Sequence, residues 1–294
     1  MAADTLLAIP NVSEGRDHAV IQAIGDAYLR GGGGAVHLLD VHSDPDHNRT
    51  VHTLAGPPIA LATALAAGAQ AAIEHIDLRR YTGLHPHVGA LDVVPIVHLN
   101  PARRGAACAE ALVAAQLVGD LGLPVLLYGA LAQGRSRADL RRGGPAQLAR
   151  RLNANELHAD FGPERMHPTA GAVLVGARPP LIAFNVELTP PATLLDAQSI
   201  AALIREGGQE GLPGLRAIGL HLPARGGISQ VSMNVEDYVG VPLAAVVAAI
   251  ARHAEIREAE LVGLAPAAAF DGFPPDLKVR NRRTVAEALH LVGL

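Results

Sequence analysis

The chain is predicted to be an α+β protein made of two α/β sandwiches, each a mixed, antiparallel-rich sheet with helices packed on one face. Three observations predict this. Short apolar runs alternate with longer amphipathic or Ala-rich stretches along the whole chain. The order strand, helix, strand, strand, helix, strand is legible in the second half, and a similar order occurs in the first. The 294 residues, 49% of them hydrophobic, suffice for two lobes of roughly 100–150 residues. The expected division is 1–178 and 179–294.

The elements follow in order. Thr5 to Val12 is short and apolar, a strand. Ser13-Glu-Gly-Arg-Asp17 opens an amphipathic helix that runs to about Arg30 and is stopped by Gly31 to Gly34. A strand rather than a helix follows them, so those glycines form no dinucleotide fingerprint. Ala35 to Val41 is the second strand, with Asp40 at its end, and Arg49 to Ala55 alternates like a third. Pro57 to Ala72 is an Ala/Leu helix with proline in its first turn. Strand 93–99, helix 103–121 and strand 125–128 come next. The Arg/Gly-rich stretch Gln133 to Arg165 has weak periodicity and is predicted to hold loops and short helices. The pattern then restarts: strands 172–175 and 181–188, helix 192–206, strands 217–222 and 230–235, helix 242–259, strand 260–264.

Composition excludes several classes. No apolar run approaches the ~20 residues of a membrane span. The start Met1-Ala-Ala-Asp4 lacks the basic stretch of a signal peptide. The single cysteine, Cys108, rules out an internal disulfide and suits a reducing cytoplasm. A net charge of −4 and 3% aromatics argue against a nucleic-acid surface.

Four segments carry candidate chemistry. The first is Tyr81-Thr-Gly-Leu-His-Pro-His-Val-Gly-Ala-Leu-Asp92. A Gly/Pro-punctuated loop there displays His85 and His87, whose side chains titrate near neutrality and suit proton transfer. The His-x-His spacing also occurs in metal sites. The second is Asp40-Val-His-Ser-Asp-Pro-Asp-His-Asn-Arg49, a polar turn, a possible cation site, or the source of a carboxylate that orients an imidazole. The third is Pro10-Asn-Val-Ser-Glu-Gly15, where Asn11 and Glu14 sit at a strand-to-helix junction and Ser13 is a candidate cap. The fourth is Asp160-Phe-Gly-Pro163 with Gly171-Ala-Val-Leu-Val-Gly-Ala-Arg178, between the two halves.

Taken together, these segments resemble the formiminotransferase family, whose enzymes move the formimino group of N-formimino-L-glutamate to tetrahydrofolate. The resemblance rests on Ile9-Pro-Asn-Val-Ser-Glu-Gly-Arg16, Leu38-Leu-Asp40, Asn48-Arg-Thr-Val51, His85-Pro86, Gly89-Ala-Leu-Asp92, Val125-Leu-Leu-Tyr-Gly129, Asp160-Phe-Gly-Pro163, Gly176-Ala-Arg178, Leu181-Ile-Ala-Phe-Asn185 and Gln230-Val-Ser-Met-Asn234. It implies two ferredoxin-like subdomains with a substrate cleft or tunnel between them, and a cytoplasmic homodimer. It implies the standalone form, without the cyclodeaminase domain of the animal proteins. It places the catalytic histidine on His85 and the folate-binding segment on Gly162, Pro163, His167, Pro168, Thr169 and Gly171. Pro168-Thr-Ala-Gly171 departs from the animal enzymes, which carry an aromatic residue before the glycine.

The chemistry fits these residue types. A folate amine attacks an amidine-like carbon and loses a proton, and the glutamate nitrogen gains one as it leaves. One imidazole serves both steps, so His85 is the expected acid–base, with Asp40 orienting it. Arg49 and Arg178 are expected to hold substrate carboxylates. Tetrahydrofolate enters as co-substrate, and no metal is expected. Three alternatives remain at this point: formyl transfer between 5-formyltetrahydrofolate and glutamate on the same scaffold, a metal-dependent hydrolase using His42, Asp44, His47, His85 and His87, and a non-catalytic folate-binding module.

Overall fold

The computed structural model describes residues 5–294. Met1 to Asp4, read above as lacking a signal sequence, lie outside the described residues. The chain divides into two compact units: one ends at Pro179 and takes back Val292–Leu294, and the other is Pro180–Leu291.

In the first unit the expected order is realised as β1 (Leu6–Ala8), β2 (Asn11–Val12), α1 (His18–Gly31), β3 (His37–Asp44), β4 (Arg49–Gly56), α2 (Ala60–His75) and β5 (Leu91–Val97). The stretch 5–12 is one strand interrupted at Ile9-Pro10, and both pieces pair with β4 and β5. Spatially β3, β4, the β1/β2 strand and β5 lie side by side, the antiparallel arrangement of a ferredoxin-like sandwich. Three more elements extend it: α3 (Arg104–Asp120), β6 (Val125–Leu127) and β7 (Val173–Arg178), with β5, β7 and β6 mutually parallel. Strand β3 runs on to Asp44, so Asp40 stands within the strand, opposite Thr53, not at its end.

Side-chain alternation shows how the parallel part is covered. Val94 and Ile96 of β5, Val173 and Val175 of β7, and Val125 of β6 join the core with Ile24 and Tyr28 of α1, Leu61 and Leu65 of α2, and Ala111 and Val118 of α3. Their neighbours Val93, Leu174 and Leu126 point the other way and pack on Leu140, Leu148 and Leu152. Those leucines belong to α4 (Arg137–Arg141) and α5 (Gly144–Asn153). The weakly periodic stretch 133–165 is thus a helical cap over the second face of β5–β7–β6. Every residue of β5 is buried, as a strand covered on both faces requires.

A tertiary contact supplies what the N-terminus of α2 lacks locally. Its cap residue Ile59 has no capping side chain and sits at φ 71°. Glu110 of α3, 2% exposed, accepts the Ile59 and Ala62 amides at 2.7 Å each. Glu110→Ala leaves those donors unpaired in the interior, and is expected to cost about 2–3 kcal/mol. Equal urea midpoints for variant and parent would refute this role.

The second unit is β8 (Ile182–Leu188), α6 (Leu194–Ile204), β9 (Leu215–Leu222), β10 (Ile228–Val235), α7 (Leu243–Ala251), β11 (Ile256–Val262), β12 (Val279–Arg280) and α8 (Val285–Leu291). The sheet order β12-β11-β8-β10-β9 contains a second ferredoxin-like arrangement. The predicted helix 242–259 is shorter. Ile256-Arg-Glu-Ala-Glu-Leu-Val262 pairs with β8 as a strand, its alternation outweighing the helix propensity of Glu and Ala. Ile182, Phe184, Val186 and Leu188 face the helices. Asn185 and Glu187 face the other side, where Glu187, Glu258 and Glu260 meet Arg280 at 2.6, 3.0 and 3.0 Å, and Arg225 joins Glu187 at 2.8 Å.

Candidate active site

The His85 loop is held by its backbone and by glycine. Leu84 N donates to Asp46 O at 3.0 Å, and the Tyr81 hydroxyl lies 2.8 Å from His47 O and 3.2 Å from His85 O. Downstream, Ala90 N donates to Ala170 O at 2.8 Å and Ala172 N to Val88 O at 3.0 Å. Gly89 and Gly171 face each other across this pairing. A Cβ on Gly89 would collide with the Ala172 carbonyl, and one on Gly171, at φ 71°, with the Val88 carbonyl.

Around the loop the fold assembles a charged centre. Asp92, at the start of β5, is wholly buried. Its Oδ1 accepts from Val88 N at 2.8 Å, and its Oδ2 accepts from Arg49 Nη1 at 2.6 Å. Arg141, the last residue of α4, donates through Nη2 to the same Oδ2. Arg49 Nε donates to Asn11 Oδ1 at 3.0 Å, while Asn11 Nδ2 donates to Ile9 O at 2.7 Å. Burial alone would raise the Asp92 carboxyl, but the Arg141 and Arg49 charges outweigh it and hold the group well below the usual carboxylate range.

His85 Nδ1 lies 2.7 Å from Pro86 O and 3.1 Å from Arg49 Nη1. The closer contact, to a carbonyl, needs a proton on Nδ1, which leaves the Nε2 lone pair available; the tautomer is assigned from this hydrogen bonding. Desolvation first, then the Arg49 and Arg141 charges, hold His85 well below the ordinary imidazole range, with Asp92 opposing. The ring is therefore neutral near pH 7, as a general base must be. His87 packs on the Tyr81 ring at 4.0 Å between centroids, and burial pushes the Tyr81 hydroxyl up to about 12. Burial favours the protonated Asp44 carboxyl, but His47, whose Nδ1 is 2.9 Å away, brings it down to about 2.

The expected site residues separate into three groups. Asn11, Arg49 and His85 meet directly. Pro168 and Thr169 form the tip of a hairpin closed by His167 and Gly171, whose backbones bond reciprocally at 2.9 and 3.0 Å; this hairpin flanks the histidine loop. His167 Nδ1 accepts from Ala170 N at 3.0 Å, and Thr169 O accepts from Leu78 N at 2.9 Å.

The remaining residues stand elsewhere on the strands and loops. Asp40 is four strand positions from Asp44, which faces Arg49, so it stands roughly 13 Å along the strand from that pair. The carboxylate that meets Arg49 is Asp92. Arg178 pairs with Val97, five positions beyond Asp92, roughly 16 Å away. Glu14 turns to the Arg16 and Asp17 amides at 2.8 and 3.0 Å, and the cap of α1 is Asp17 rather than Ser13. Gly162, at φ 75°, packs against Gly119 and Leu123, and Pro163 beside it is exposed. Among the described residues no group of three or more His, Cys, Asp or Glu side chains is arranged to hold a metal ion. Arg141 was not anticipated. The available signal was a buried-type leucine, Leu140, beside an arginine in an otherwise polar stretch.

A neutral imidazole stands beside two arginines that share one carboxylate, an arrangement of the acid–base class that can also attract an anion. The comparisons give the class a family. Residues 5–178 match the formiminotransferase domain, N-terminal subdomain, and residues 183–271 match the formiminotransferase domain; the chain belongs to this family. It is 36% identical to glutamate formimidoyltransferase of Streptococcus pyogenes, covering 89% of each chain. It is 34% identical to the enzyme of that name from Thermoplasma acidophilum, covering 88% of this chain and 87% of that one. Formimidoyltransferase-cyclodeaminase of Gallus gallus is 38% identical over 88% of this chain. The chain spans about half, 49%, of that relative's length. No described helix is long and apolar enough to cross a membrane.

Proposed function

We propose that this chain transfers the formimino group of N-formimino-L-glutamate to N5 of tetrahydrofolate, giving 5-formimino-tetrahydrofolate and L-glutamate. The observation that carries the reading is the neutral His85 held beside Arg49, Arg141 and buried Asp92. The two standalone relatives named glutamate formimidoyltransferase support it.

His85 Nε2 takes the proton from the folate N5 as that nitrogen attacks the formimino carbon. The imidazolium then returns it to the glutamate nitrogen as the C–N bond breaks. Among the charges that act most strongly on His85, Asp92 favours the imidazolium, so it steadies the ring in its protonated interval. Tetrahydrofolate is a co-substrate, and the residues named need no metal for either step. The hairpin His167–Gly171 flanks the reacting centre and is the folate-contacting segment of this reading. The reading includes an N-terminal subdomain to residue 178 carrying His85, a C-terminal subdomain from 179, a homodimer and a cytoplasmic location; the break between compact units at Pro179–Pro180 supports the division.

The assay follows absorbance of the product from tetrahydrofolate and N-formimino-L-glutamate, with the formyl donor run alongside. No turnover above blank with either donor rejects the reading, and turnover with the formyl donor alone transfers it to formyl transfer. The pH dependence is a separate expectation. A base whose protonated form is disfavoured keeps kcat/KM level from about pH 8 down past an ordinary histidine's pKa of about 6.5. An acid limb centred at that ordinary value would remove His85 from the role.

A further inference from the structure

We propose that Arg141 is a substrate-binding residue that, with Arg49, forms the receptor for one carboxylate of the amino-acid donor. The inference rests on the transfer reading above and extends it to a residue outside every motif that identified the family.

The charge count comes first. Arg49 and Arg141 both lie on Asp92 Oδ2, and Oδ1 is taken by Val88 N. Two guanidiniums therefore share one carboxylate where Asp92 has no exposed side-chain surface and the arginines keep only 11% and 15%. His85 is neutral and adds no charge. Glu14 and Arg16, whose opposite charges both act on Tyr81, offset each other. Asp44, opposite Arg49 in the strand pairing, is engaged by His47, so within the Arg49–Arg141–Asp92 cluster itself one positive charge is left in largely dry surroundings, which is costly until an anion arrives. A single carboxylate balances it, whereas a phosphate dianion overshoots.

The donor inventory agrees. Arg141 Nε is shielded from water and makes no hydrogen bond among the described residues. Among the described residues only Nη2 is engaged, with Asp92. A guanidinium with unused donors in a rigid planar fork is suited to bidentate capture of a carboxylate. Two contacts anchor α4 beside this group: Leu140 is 1% exposed in the core under β5–β7–β6, and Arg151 Nη2 donates to the Leu140 carbonyl at 2.6 Å.

The test pairs the Arg141→Gln variant with three donors: N-formimino-L-glutamate, N-formimino-4-aminobutyrate, which lacks the α-carboxylate, and N-formimino-2-aminobutyrate, which lacks the side-chain carboxylate. Loss of a charge-assisted pair is expected to raise KM roughly 10–100-fold for the diacid and for one of the two monoacids. The other monoacid, and tetrahydrofolate, should keep their KM. An equal penalty on all three donors, an equal rise in the tetrahydrofolate KM, or a change in kcat alone would overturn the proposal. If Arg141→Gln does not fold, Arg141→Lys keeps the charge on Asp92 without the fork, and the same selective pattern is expected. If the parent transfers nothing, the transfer reading fails separately, and calorimetry with L-glutamate decides the receptor: binding to the parent that is lost in the variant supports it, and no binding to the parent overturns it.

Discussion

His85→Ala is expected to fold normally and to lose transfer activity by about 100-fold or more, the usual contribution of a positioned acid–base group. Normal folding is expected because the loop is fixed by backbone bonds at Leu84, Ala90 and Ala172 and by the Tyr81 hydroxyl, none of which uses the imidazole. Arg49 keeps its bonds to Asp92 and Asn11 without the ring. Single-turnover kinetics beside a thermal melt separate the two effects. A well-folded His85→Ala protein with parental turnover would end the assignment. His87→Ala is the control: its ring packs on Tyr81 and bonds the His85 backbone, and it feels the Asp92 charge without a direct bond to it, so its loss should be mild by comparison.

Asp92→Asn should have the largest effect on stability. The amide keeps the shape and an acceptor for Val88 N, but leaves Arg49 and Arg141 without their shared anion inside the protein. Removing one partner of a buried ionic cluster costs about 3–5 kcal/mol. The pH dependence carries a definite sign. The Asp92 carboxyl titrates well below its unfolded value in the native state, so the unfolded chain binds its proton first as pH falls. Its contribution is complete above the unfolded value of about 3.9 and is lost as pH drops toward the native one. Urea melts of parent and variant should therefore differ by a constant amount from neutrality to about pH 4 and converge below it. Equal midpoints at neutral pH would show that Asp92 is no such keystone. The same substitution removes a charge that favours the His85 imidazolium, so kcat should fall with stability.

Much of the fold was legible because its signals are local. Strand and helix periods placed most elements to within a few residues. The exceptions have physical causes. Ile256–Ala259 carries good helix formers, yet pairing with β8 decides its state. Stretch 133–165 has little periodicity because α4 and α5 each bury only one or two leucines, all against a sheet face that no local pattern announces. The strand end expected at Asp40 lies further on: β3 continues through polar residues to Asp44, since pairing with β4 sustains it where hydrophobicity does not.

By itself the sequence determined the two-sandwich class and the family motifs, and the resemblance those motifs carry pointed to His85 and Arg49 as candidates to move a proton and hold an anion. Those follow from residue type, period and order, which are properties of short segments. Only the tertiary structure decided which carboxylate meets Arg49 and which second arginine joins it there. Asp92, Arg49 and Arg141 are separated by 43 and 49 positions along the chain and meet at one oxygen atom. That meeting depends on strand register and on a cap docked by Leu140, Leu148 and Leu152. Burial then sets the protonation of the site, and burial is a property of the packed whole rather than of any segment.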